Sequence, residues 1–176
     1  MNSVKTEQHN GHTIKIYHDE HAESPREWDN LGTMLCAHGR YSLGDKHELS
    51  PDEILRKAQS RAYIAIPLYL YDHSGLCMST SPFNCPWDSG MVGYIMVSRE
   101  KVRDEYGWKA ISQRRAAKIR RHLKAEVKTY SQYLQGDIYG YQIEDQEGNE
   151  IDSCWGFYGI DETIEAAKEN IEPAKV

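Results

Sequence analysis

Tyr63-Ile64-Ala65-Ile66-Pro67-Leu68-Tyr69-Leu70-Tyr71 is the strongest strand signal in the chain, dense in Ile, Leu and Tyr. His73-Ser74-Gly75 can turn the chain straight back into Leu76–Thr80, which makes the pair a hairpin and the sheet antiparallel. Pro67 has no N–H to give, so the strand is expected to be unpaired or bulged there. Upstream, Ser50-Pro51-Asp52-Glu53 reads as a helix start, with Ser50 as cap, Pro51 at the first position and Glu53 completing a capping box. Downstream, Met91–Val97 returns as a strand, and Ser98 caps a short helix over Arg99–Tyr106 that Gly107 ends.

Working outward, Thr13–His18 and Thr33–His38 read as short strands. Ser112 caps a longer helix whose Ala116, Ile119, Leu123, Val127, Tyr130 and Leu134 form one apolar stripe. Ile138–Ile143 and Ile151–Tyr158 flank the turn Gln146-Glu147-Gly148-Asn149, and Asp161 is expected to cap a last helix. Regular βαβ alternation is missing. The order predicts an α+β domain with a mostly antiparallel sheet and helices packed on one face. Residues 1–12 are expected to be a flexible lead-in and 13–176 a single domain, since 176 residues suffice for one real core.

Hydrophobic residues make up 39% and charged residues 27%, as in soluble globular proteins. No apolar run reaches the roughly 18 residues that span a membrane, and the N-terminal residues hold no apolar signal-peptide core. The expectation is a cytoplasmic protein with no membrane partner. Cys36, Cys77, Cys85 and Cys154 show no C-x-x-C spacing, so reduced thiols are expected. Tyr is plentiful at twelve against two Phe, which favours partly wet surfaces.

Charge is uneven. Residues 109–128 hold eight basic side chains against Glu126, a net of +7, while residues 137–172 hold eleven acids against Lys168. Arg114, Arg115, Lys118 and Arg121 can lie opposite the apolar stripe, as a solvated face, as a face paired with acids, or as a surface that grips phosphate or a charged partner. An acidic whole with one basic segment argues against general nucleic-acid coating.

Two turns around tryptophan nearly match: Glu27-Trp28-Asp29-Asn30-Leu31-Gly32 and Pro86-Trp87-Asp88-Ser89-Gly90. Turn chemistry alone accounts for a carboxylate or carboxamide next to glycine, with the indoles as buried staples. The functional alternative sets Asp29 and Asp88 in one cleft as an acid–base pair or as ligands for a hard divalent cation. His18 and His21, with Cys36 and His38, are further candidate metal ligands, although the spacing of known zinc motifs is absent. Cys85, beside the second turn, is the candidate nucleophile and would need a base such as His73. The phosphate-cradling, nucleophile-elbow and dinucleotide motifs do not occur.

Four strings stand out together: Ser24-Pro25-Arg26-Glu27-Trp28-Asp29-Asn30-Leu31-Gly32-Thr33-Met34, Cys85-Pro86-Trp87-Asp88-Ser89-Gly90, Gly136-Asp137-Ile138-Tyr139-Gly140-Tyr141 and Ser153-Cys154-Trp155-Gly156-Phe157-Tyr158-Gly159. Through them the chain resembles a group of small proteins encoded by bacteriophages and mobile elements, over most of residues 13–160. The resemblance carries over no catalytic residues. It implies an accessory protein that binds and inhibits or modulates a host nucleic-acid-handling or defence protein, restriction and CRISPR systems among them. On that expectation Arg114, Arg115, Lys118 and Arg121, with Trp28 and Trp87, form the partner surface, nucleic acid is a candidate contact of the basic helix, and no cofactor is required. Two alternatives remain: a metal-dependent hydrolase or nuclease using Asp29 and Asp88, and a homo-oligomeric assembly protein.

Overall fold

In a computed structural model the described residues are 2–171, and they form eight strands and four α-helices with every strand pairing antiparallel. The fold is α+β, as the element order predicts. The chain divides into two compact units, residues 24–134 and the flanking residues 1–23 with 135–176. Residues 24–134 are thus an insertion in the sequence of the flanking unit.

In the flanking unit, β1 (Lys5–His9), β2 (His12–His18), β7 (Ile138–Glu144) and β8 (Glu150–Tyr158) form a sheet in the order β1-β2-β7-β8. Where the sequence suggests a loose lead-in, residues 5–9 are an edge strand. Asn10 and Gly11 turn it with φ of 47° and 79°, the two successive positive φ values of a tight hairpin turn. The strand's polar residues, exposed on the sheet edge, leave no apolar alternation to read. Helix α4 (Ile160–Glu169) covers one face of this sheet, where Ile164 and Ala167 pack with Ile14, Ile16, Tyr141 and Ile143. Its N-cap is Gly159 rather than Asp161, and Asp161 lies in the first turn, where a carboxylate favours the helix dipole.

In the inserted unit, β3 (Thr33–Cys36), β4 (Tyr63–Asp72), β5 (Leu76–Ser79) and β6 (Ser89–Ser98) are ordered β3-β6-β4-β5. Pro67 sits in β4 opposite Tyr94, and the register slips immediately after it, between Leu68 and Tyr69. Alternation decides which helix lies on which face. Ile64, Ile66, Leu68 and Leu70 pack on α3 (Gln113–Gln135) through Ile119, Leu123 and Val127. Tyr63, Ala65, Tyr94 and Met96 turn to the other face and meet Ile54 of α1 (Pro51–Gln59). The one-face arrangement expected from the sequence therefore holds for α4, whereas the inserted sheet is covered on both faces. Helix α1 starts with the expected capping box, and α2 (Arg99–Tyr106) ends on left-handed Gly107 at φ 63°.

Candidate functional site

The outer face of α3 gathers most of the basic side chains of residues 109–128. Its buried stripe is Ala116, Ile119, Leu123, Val127 and Tyr130. At about 100° per residue, Arg114, Lys118, Arg121 and Lys128 fall within an arc of about 80° on the opposite side. All four are exposed. Among the described residues, no carboxylate lies within 4.0 Å of any of them. Arg115 stands apart from this stripe: it donates to the Ala110 carbonyl at 2.7 Å, and its guanidinium lies 4.7 Å from the centre of the Trp108 ring. Lys118 Nζ is 5.1 Å from the Tyr106 ring and 5.9 Å from Trp108, whose rings are 4.6 Å apart. The start of the cationic stripe is thus held beside an aromatic pair by cation–π attraction.

Glu126, the one acid on this helix, does not neutralise the stripe because it is turned inward. Its oxygens accept from Leu31 N at 3.0 Å, Gly32 N at 3.1 Å and Arg26 Nη1 at 3.2 Å. The Arg26 side chain is only 4% exposed and also grips Asp45 through Nε and Nη2, both at 2.8 Å. Burial works to lower the Arg26 pKa, but the bonds from Asp45 and Glu126 outweigh it and hold the guanidinium above its ordinary value. A Cβ on Gly32 would lie 2.5 Å from Leu123 Cδ2 and 2.9 Å from Ile95 Cδ1, so a larger residue would force these core side chains to shift where the first tryptophan loop meets α3. Sequence reading missed this network. The signal for it is the single acid in a basic run.

The two tryptophan turns are not buried staples. Trp28 is 50% exposed and Trp87 93% exposed. What fixes the first loop is Arg26, together with Asn30 Nδ2 donating to the carbonyls of Pro25 and Trp28. Asp29 is exposed, and its neighbour Asn30 accepts from Lys101 Nζ, in α2 just beyond the C-terminal end of β6. Asp88 immediately precedes β6. Ten residues of strand, about 30 Å, separate those two places, so the turns do not form one carboxylate pair.

Asp88 instead belongs to a cleft of about 440 Å³ with His38, Arg40, Leu70, Asp72, Trp87 and Met91 among its walls. Asp88 Oδ2 lies 3.5 Å from Cys85 Sγ and 3.4 Å from His73 Nδ1. Thiol and imidazole therefore meet on one carboxylate oxygen rather than on each other, which is not the nucleophile–base contact expected of Cys85. Asp72 accepts from Arg40 at 3.3 Å and from the Tyr41 hydroxyl at 3.0 Å.

The histidine–cysteine set is divided. His18 and His21 belong to the flanking unit, and Cys36 and His38 to the inserted one. His18 stacks on Tyr139 at 4.8 Å, and His38 on Tyr41 at 5.1 Å. Burial pushes the Cys36 thiol up to about 12. Among the described residues, no three His, Cys, Asp or Glu side chains come together as a ligand set. Likewise no described helix is long and apolar enough to cross a membrane. Comparison with family models, with curated proteins and with solved structures gives no match.

Proposed function

We propose that the chain is a binding protein, an accessory factor of bacteriophage type, which engages a host nucleic-acid-handling or defence protein and inhibits or modulates it. The observation that carries this reading is the cationic stripe Arg114, Lys118, Arg121 and Lys128, exposed and without a carboxylate partner among the described residues. A stripe of that kind costs like-charge repulsion in the free protein and gains when an anionic surface covers it. The resemblance to small phage-encoded proteins is the reason for naming host machinery as the target. Trp28 and Trp87 supply exposed indoles of the kind that anchor protein contacts.

The test is affinity capture from host cells with the tagged chain and with a variant carrying Arg114→Glu, Lys118→Glu and Arg121→Glu. All three positions are exposed, so circular dichroism should show the fold unchanged. A nucleic-acid-handling host protein should be retained by the parent and lost by the variant. Equal retention by both, or capture of no such protein, sinks the reading.

A further inference from the structure

The whole chain carries −6, which argues against nucleic-acid binding, but the charge is segregated between the units. Residues 24–134 hold seventeen Lys and Arg against twelve Asp and Glu, a net of +5. The remaining residues hold four against fifteen, a net of −11. The inserted unit is therefore a basic body, and α3 presents its continuous cationic edge. We propose that this edge takes the phosphodiester backbone of nucleic acid, so that the host protein is engaged together with the nucleic acid it handles. The proposal rests on the functional reading above and names the chemistry of its contact face.

Three features favour phosphate over an acidic protein surface. The stripe is linear: Arg114, Lys118, Arg121 and Lys128 run along about 21 Å of helix axis, a cation roughly every 5 Å on average with Lys124 at its flank. A regular backbone of one charge per nucleotide matches a row of that kind, whereas acidic side chains on a folded protein seldom form one. Two of the four are arginines whose forked donors suit phosphate oxygens. Finally, the row begins at the Tyr106–Trp108 pair, whose rings already hold Arg115 and Lys118 at 4.7 and 5.1 Å. Aromatic rings and arginine planes beside a cationic track are how proteins hold strands without reading their sequence. None of the four cations is neutralised by a carboxylate within 4.0 Å among the described residues, so each keeps its charge for a phosphate.

The experiment titrates the full chain into labelled oligonucleotides, one duplex and one single strand of equal length, over a series of salt concentrations. Binding to at least one should weaken steeply with salt. Four phosphate contacts correspond to a log–log slope of about −3 to −4. Single Arg114→Ala, Lys118→Ala, Arg121→Ala and Lys128→Ala changes should each reduce the slope by about one, and the triple Glu variant should abolish binding. Lys46→Ala, an exposed loop change, should leave both slope and affinity unaltered. A preference for the single strand assigns a role to the aromatic pair, and a preference for the duplex assigns binding to the charged row alone.

Failure to bind either oligonucleotide at low salt overturns the proposal, as does binding that the triple variant leaves unchanged. If the triple variant loses a host protein from nuclease-treated extracts while no oligonucleotide binds, the face contacts protein directly. The phosphate inference then falls and the functional reading stands. If oligonucleotides bind as described and no host protein is recovered, the inference stands and the functional reading falls.

Discussion

Arg26 and Glu126, a hundred positions apart in sequence, meet at 3.2 Å beneath the first tryptophan loop, with side chains only 4% and 8% exposed. The pair fixes the loop to α3, since Glu126 also accepts from the backbone of Leu31 and Gly32. A buried ion pair adds little net stability when intact, but removing one member strands the others. Arg26→Ala leaves both Asp45 and Glu126 without their cation and should cost about 3–5 kcal/mol in urea unfolding. Glu126→Gln keeps the shape and most acceptor positions, and should cost about 1–3 kcal/mol. A cost for Arg26→Ala below that of Glu126→Gln would refute the network as described.

That pair also shows where sequence reading stops. The capping box at Ser50, the left-handed stop at Gly107 and the buried stripe of α3 were legible because each depends on residues within a few positions of one another. The cationic face of α3 follows from the same periodicity. By contrast, the partner of Glu126 depends on how a loop near residue 30 folds over the helix, which no local pattern encodes. The division into two units was hidden for a similar reason: β2 pairs with β7 across the whole inserted segment, and long-range strand pairing leaves no periodic trace. The strings around Asp29 and Asp88 resemble each other because each lies shortly before a strand, and β3 and β6, being antiparallel, enter the sheet from opposite ends.

Trp87 is 93% exposed, which makes it a surface residue despite its size. Its loop is held without it, by Ser89 Oγ donating to the Cys85 carbonyl at 2.6 Å and Asp72 N donating to the Asp88 carbonyl at 2.8 Å. Trp87→Ala should therefore change unfolding free energy by no more than about 0.5 kcal/mol. On the proposed function the same variant should reduce capture of a host protein, separating a contact role from a structural one. A large loss of stability would contradict the placement of this indole.

Gly140 and Trp155 belong to two of the four strings that define the sequence, and the structure explains why they occur together. Trp155 lies across the Gly140 backbone, where a Cβ would come within 2.9 Å of indole Cγ and closer still to the ring atoms beyond it. The indole also approaches the Tyr17 ring, with centroids 6.2 Å apart. Gly140→Ala should displace the ring and cost about 1–3 kcal/mol, the range for overpacking. Replacing Trp155 with Leu in the same chain should recover part of that loss, because the smaller side chain vacates the space. Double-mutant analysis of the two changes measures the coupling, and strict additivity would argue against the contact.

Alkaline pH should probe the two units separately, through Tyr141 in one and Cys36 in the other. Burial, aided by the bond its hydroxyl donates to Asp152 at 3.1 Å, pushes the Tyr141 phenol up to about 12. Burial likewise pushes the Cys36 thiol up to about 12. Both groups are neutral when protonated, and the unfolded chain loses these protons earlier, at about 10 for tyrosine and about 8.5 for cysteine. Because the folded values are raised, each contribution to stability is fully present below the unfolded value. It is lost as pH climbs from there through about 12. Stability should begin to fall above about pH 8.5 on account of Cys36, and fall more steeply above about pH 10 when Tyr141 joins. Cys36→Ala should remove the earlier part of the decline and Tyr141→Phe should flatten the later part. Chemical unfolding across this pH range, followed alongside tyrosinate absorbance, makes the comparison. A decline unchanged by either substitution would place the alkaline sensitivity elsewhere.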